Sequence, residues 1–266
     1  MQEMNDIIDS FLNDKNITDE FVRKIVTGFI HKHTKLYGEM IPFSSLMERL
    51  TQNLDSIQMI DPDKEPAELK VQGAVGLYEG FDKNSISLFF TKDSLKSEQL
   101  REDFTSVLLH ELTHCAYTIK TDHFYEQREI QVFGEYAKND DKTKLVDGTD
   151  VFMEAIVNYI SIQIYGKKNG MYLMQTKSIE KLANMTDIKQ LIKSAFLSDE
   201  TMFKKCFKLL PEGAFEYFKD GMSWLSGFGG YSFRKGTEIM QNFFDGNIPS
   251  LTKNQFVEDL KEIKKI

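Results

Sequence analysis

The segment Leu108-Leu109-His110-Glu111-Leu112-Thr113-His114 holds two histidines four residues apart, with a glutamate directly after the first. On a helix, residues i and i+4 stand one turn apart on the same face, so both imidazoles can reach one ion. Zinc takes imidazole nitrogen in four-coordinate geometry and leaves a position open to water in catalytic sites. A carboxylate beside such a site can accept a proton from that water and hand it to a leaving amine. His110 and His114 therefore read as zinc ligands and Glu111 as a general base. The bland alternative is a half-exposed helix whose histidines only hydrogen-bond. The chain has just five histidines, which makes this spacing less easily a product of abundance.

Two histidines need a third protein ligand. A histidine six residues after His114 would serve, but Lys120 stands there, and His123 is out of step with that pattern. Tyr117 occupies the position where that pattern carries glycine. The remaining donors are the carboxylates Glu126, Glu129, Glu135 and Glu154. Glu154 is favoured. It opens a helix whose other face is strongly apolar, and a carboxylate buried there needs a partner, for which a metal is the simplest choice. Asn158 falls one turn later on the same face, where its amide oxygen could orient a histidine ring through the second nitrogen. An exposed first-turn acid favoured by the helix dipole is the competing reading of Glu154.

These residues must be carried by definable elements. Ser97 is a candidate cap for a long helix with Leu100, Phe104, Val107, Leu108, Leu112, Cys115, Ala116 and Ile119 on its apolar side. Cys115 follows His114, and one helical step turns it by about 100° away from the metal face. A second helix starts near Asp150, with Phe152, Ala155, Ile156, Tyr159, Ile160 and Ile164 at helical spacing. Between the two lies a less regular stretch from Thr121 to about Asp150, with a polar Lys138–Lys144 loop. Ahead of the first, Val71–Phe81 and Ser85–Thr91 alternate in period two around Asp82-Lys83-Asn84, which predicts a β-hairpin. Gly73, Gly76 and Gly80 weaken that first strand or mark bends in it.

Residues 3 to about 60 read as helical, with Thr18 as a cap for the stripe Phe21, Val22, Ile25, Val26 and Phe29. His31 and His33 sit near the predicted end of that helix and read as a solvated, dipole-favoured last turn. The run Asp61–Pro66 breaks the pattern. After residue 170 the chain is again mostly helical, with patterns over Ile179–Ala183, Ile188–Leu197, Thr201–Leu210 and Phe256–Ile266, interrupted at Gly227, Gly229 and Gly230 by an aromatic-rich loop that includes Trp224, Phe228, Tyr231 and Phe233. The expected class is α+β: mostly helical, with a small hairpin sheet beside the active-site helix. The expected division is an N-terminal helical region 1–65, a catalytic core 66–170 and a C-terminal helical subdomain 171–266.

Bulk properties set limits on partners. With 266 residues, 41% apolar, the chain can bury a substantial core. A net charge of −8 and the lack of a Lys/Arg stripe argue against nucleic acid. No run is apolar and long enough for a membrane span. The N-terminus MQEMNDIIDS has acids where a signal peptide has a basic start, so a cytoplasmic location is expected. A chain from which an export signal had been removed would read the same way. Cys115 and Cys206 are spaced neither as a metal knuckle nor as a redox pair.

The chain resembles the gluzincins, the thermolysin-like group of zinc metallopeptidases, over roughly residues 70 to 165. In that group the two histidines of H-E-x-x-H are completed by a glutamate from a following helix. The matching run here is Met153-Glu154-Ala155-Ile156-Val157-Asn158-Tyr159. Met153 replaces the group's usual Asn, and Asn158 replaces the acid that orients a zinc histidine. The resemblance implies a zincin-like core, a Zn2+ cofactor and hydrolysis of a peptide or protein substrate. It also implies an edge strand above the zinc that pairs with extended substrate, for which Ser85–Phe90 is the expected counterpart. A C-terminal Tyr or His should stabilise the oxyanion: Tyr231 is one candidate, with Tyr217, Tyr172, Tyr159 and His123 as others. The competing function is a catalytically inactive, peptidase-like zinc-binding regulatory or protein-interaction module. The intact Glu111 speaks against it, and the two departures around Glu154 speak for it.

Overall fold

The computed structural model describes residues 2–64, 75–81, 83–123, 126–131, 134–139, 142–147, 150–167, 172–184, 187–199, 201–202, 205, 213–226 and 230–247. Within these, the side chains of 121–152, 216, 223, 226 and 230–232 lie outside the description. The described residues divide into two compact units. One is drawn from Met1–Glu129, Ala137–Thr143 and Ile160–Asn169, the other from Ile130–Tyr136, Lys144–Tyr159 and Gly170–Ile266. Among the described residues no helix is long and apolar enough to cross a membrane.

The first unit opens with three helices, α1 (Gln2–Asp14), α2 (Glu20–Tyr37) and α3 (Phe43–Asn53). The cap of α2 is Asp19, one residue after the predicted Thr18. Its carboxylate accepts from the Phe21 and Val22 amides at 3.0 and 3.1 Å. A full negative charge at the positive helix end does this better than a hydroxyl. The buried stripe of α2 runs Val22, Ile25, Val26, Phe29, Ile30, His33 and Tyr37. The helix thus continues past its predicted end, and His33 lies on the apolar face. The solvated reading of His33 is wrong: its Nε2 lies 3.1 Å from the Tyr117 hydroxyl in the core.

Helical structure stops at Asn53, short of the expected residue 60. Ser56–Met59 is a strand, β1, followed by β2 (Gly76–Glu79) and β3 (Ser85–Leu88). The predicted hairpin is present as β2 and β3, antiparallel, with Gly76 opposite Leu88 and Glu79 opposite Ser85. Asn84 turns the chain into β3 at φ 46°, a conformation that asparagine tolerates better than most residues. β1 pairs with β3 in parallel, so the sheet order is β1-β3-β2.

The long helix α4 (Glu98–Ala116) packs on α2, α3, β2 and β3. Every residue from Ser106 to Ala116 is buried, which makes α4 the central element of this unit. Phe104 anchors it, its ring 5.7 Å from Phe21 and 5.2 Å from Phe90. Ser97 takes the expected N-cap position with extended backbone, though its side chain makes no capping hydrogen bond.

The stretch expected to be irregular forms four strands in sequential order: β4 (Thr118–His123), β5 (Glu126–Gln131), β6 (Gly134–Asn139) and β7 (Lys142–Asp147). Helix α5 (Asp150–Tyr165) starts where predicted. The second unit continues with α6 (Leu173–Ala183), α7 (Ile188–Leu197), α8 (Ala214–Ser226) and α9 (Gly230–Phe244). Trp224 and Phe233 therefore sit on helices, not in an aromatic loop. α8 and α9 pack tightly because glycines face the neighbouring helix: a Cβ on Gly236 would stand 2.5 Å from the Leu225 amide nitrogen. The predicted helix Phe256–Ile266 lies outside the described residues, and so does most of Thr201–Leu210. The architecture is α+β, mostly helical, with a small open sheet beside the helix that carries the histidines.

Candidate metal centre

α4 presents His110 and His114 one turn apart, and both are buried, at 4% and 6% exposure. Their ring centroids are 4.8 Å apart with planes at 72°. The two Nε2 atoms converge to 3.1 Å. Two imidazole lone pairs at that distance repel unless a proton or a cation lies between them. Two zinc–nitrogen bonds of 2.0–2.1 Å at a tetrahedral angle place their nitrogens about 3.3–3.4 Å apart, so the pair is already within a few tenths of an ångström of ligand spacing.

Glu154 on α5 completes the donor set. One ligand atom from each of His110, His114 and Glu154 lies within 4.8 Å of the other two. Glu154 is half-buried. Two imidazoles with one carboxylate is a catalytic rather than structural donor set, because it leaves the fourth position to water. The residues present therefore fit Zn2+. The side chains of Glu126, Glu129 and Glu135, the other candidates, lie outside the description.

Glu111 follows the first histidine and is itself buried, at 7% exposure. Its surroundings explain a feature of the sequence. A Cβ on Gly76, the first residue of β2, would stand 3.1 Å from Glu111 Oε1 and 2.5 Å from Val107 Cγ1. The backbone of β2 lies directly against this carboxylate, and only glycine permits the approach. Gly76 was legible in the sequence as a bend or weak point in a strand. What could not be read was the helix it faces.

The strand nearest Glu111 also corrects the expected substrate edge. Ser85–Phe90 is not an edge: β3 is flanked by β1 and β2 and is buried along its whole length. Among the described residues, the edge strand beside α4 is β2.

The other predicted residues fall in different places. Asn158 is fully buried, and its Nδ2 donates to Thr176 Oγ1 at 2.8 Å, tying α5 to α6. Tyr159 is buried, and burial, with the charge of Glu180 adding to it, pushes its hydroxyl pKa up. Tyr172 is exposed, and Tyr217 is half-buried. Tyr231 lies on α9 and His123 on β4, and both side chains are outside the description. Cys115 is buried.

His33 and Tyr117 support the C-terminal end of α4. Burial lowers the His33 pKa to about 3, and burial pushes the Tyr117 hydroxyl well above its usual value. Both groups are therefore neutral at pH 7.

Comparison with protein families, characterised proteins and solved structures yields no match. The assignment rests on the site itself. The buried His110-Glu111-x-x-His114 motif with downstream Glu154 matches the gluzincin-type zinc-binding arrangement, and it supports a catalytically competent metallopeptidase-type active site.

Proposed function

We propose that this chain is a zinc-dependent endopeptidase acting on an extended segment of a peptide or protein substrate. The observation that carries the reading is the convergence of His110, His114 and Glu154, with Glu111 one residue from the first ligand. Zinc held there would supply Lewis acidity toward a carbonyl oxygen and lower the pKa of water.

The chain's own residues do the rest. Glu111 takes a proton from the attacking water and delivers it to the amine nitrogen as the C–N bond breaks. The low exposure of His110, Glu111 and His114 keeps bulk water away from these transfers and strengthens the electrostatic interactions around them. β2 offers an edge on which substrate backbone can pair, adjacent to Glu111. Asn158, whose Nδ2 donates to Thr176 Oγ1, is the proposed orienting residue for a zinc-binding histidine. Tyr231 is the proposed donor to the oxyanion. A cytoplasmic location is part of the same proposal.

The test is Glu111→Gln, assayed with a degenerate library of internally quenched peptides and with zinc analysis. Zinc content should stay at the wild-type level while hydrolysis falls by about 10²-fold or more. Hydrolysis that survives the substitution would remove Glu111 from the general-base role. If the wild-type protein binds zinc but cleaves no member of the library, the regulatory, non-catalytic reading would take its place.

A further inference from the structure

We infer that Asn53 is a positioning residue for the metal centre: delivered by α3, its side chain fixes the last turn of α4 and with it the seat of His114. The inference rests on the zinc-site reading above.

The last four carbonyls of a helix have no partner within it. At the end of α4 they belong to buried residues, Thr113, His114, Cys115 and Ala116. The chain supplies partners itself. The Tyr117 amide donates to Thr113 O at 3.0 Å and to His114 O at 3.2 Å. Thr118 Oγ1 donates to His114 O at 2.8 Å. Cys115 O accepts from Asn53 Nδ2 at 2.9 Å. The same nitrogen donates to Thr118 O at 2.8 Å, an oxygen that also accepts from Arg49 Nη1 at 2.9 Å. Both amide hydrogens of Asn53 are thus used, and both acceptors are carbonyls. The amide can sit only this way round, because the flipped form would set its oxygen against two others.

Asn53 reaches the other side of the site as well. Its backbone carbonyl accepts from the Tyr78 hydroxyl at 3.2 Å. Tyr78 lies on β2, two residues after the glycine that packs on Glu111. One buried residue therefore joins the helix end that carries His114 to the strand that lies over Glu111. Unwinding the last turn would move His114 while leaving His110, a full turn further in, where it is. That would open the 3.1 Å spacing of the two ligand nitrogens.

The experiment uses the full chain with Asn53→Asp, which keeps the shape but sets an oxygen against both carbonyls. Asp19→Ala is the control: it removes the cap of α2 and touches no part of the site. Amide hydrogen exchange is read at Tyr117 and Thr118, and the zinc dissociation constant by competition with a chelator. The expected result is faster exchange in that turn and zinc affinity weakened by about tenfold or more in Asn53→Asp, with neither change in Asp19→Ala. Unchanged exchange, or faster exchange with unchanged zinc affinity, would overturn the inference. So would an equal loss of zinc affinity in the control. If Asn53→Asp does not fold, Asn53→Ser is read by the same criteria. A wild-type chain that binds no zinc would instead sink the metallopeptidase reading, and the exchange data would still report whether Asn53 holds the helix end.

Discussion

The sharpest pH prediction concerns His33, which titrates at about 3 in the folded chain because burial excludes its charged form. In the unfolded chain it should titrate near 6.5, the ordinary histidine value. Above pH 6.5 both states hold His33 neutral, and it contributes no pH dependence. Below that value the unfolded state binds a proton that the native state refuses, so stability falls as pH falls, down to about pH 3. Between pH 7.5 and 5.0 the relevant span is 6.5 to 5.0, or 1.5 units, which at 1.36 kcal/mol per unit is about 2 kcal/mol. His33→Phe removes the titrating group. It also leaves the Tyr117 hydroxyl without its His33 partner, so the variant should be less stable at pH 7.5 by about 1–3 kcal/mol. The diagnostic quantity is the slope, not the offset. Urea unfolding at both pH values, with chelator present to remove metal linkage, should show the wild type losing about 2 kcal/mol more than the variant on acidification. Equal losses in the two proteins would refute the reasoning, and so would His33 ring signals that titrate near 6.5 in the folded protein by NMR.

Other outcomes follow from single contacts. Gly76→Ala places a Cβ 2.5 Å from Val107 Cγ1 and 3.1 Å from Glu111 Oε1. It should destabilise the fold by about 1–3 kcal/mol and lower kcat by about tenfold or more while zinc stays bound, as checked by kinetics alongside metal analysis. Asp19→Ala, which frees two amides at the start of α2, should cost about 0.5–2 kcal/mol by urea unfolding and leave the chelator-competition curve for zinc unmoved.

The chemistry was more legible in the sequence than the architecture. The spacing of His110 and His114 translates into adjacency by helix geometry alone, so the structure only had to preserve it. Glu154 could be selected because a carboxylate in so apolar a helix has few other uses. The errors came from pairings between distant segments. Ser56–Met59 is a four-residue strand whose residues are mostly half-buried, and its extended form depends on pairing with Ser85–Leu88. Missing β1 made β3 look like an edge when it is the centre of its sheet. β4 to β7 are rich in Lys, Glu, Gln and Asp, which carry little strand preference of their own. His33 is different, because its signal is present: it continues the i, i+3, i+4 series from Phe29 and Ile30, which places it on the apolar face.

The most direct test of the central claim is a crystal structure of the zinc-loaded protein, with the metal located by anomalous scattering at the zinc edge. The account predicts one ion bonded to Nε2 of His110, Nε2 of His114 and a carboxylate oxygen of Glu154, with water in the open position. An ion completed by Glu126, Glu129 or Glu135, one held elsewhere in the chain, or none at all would contradict it.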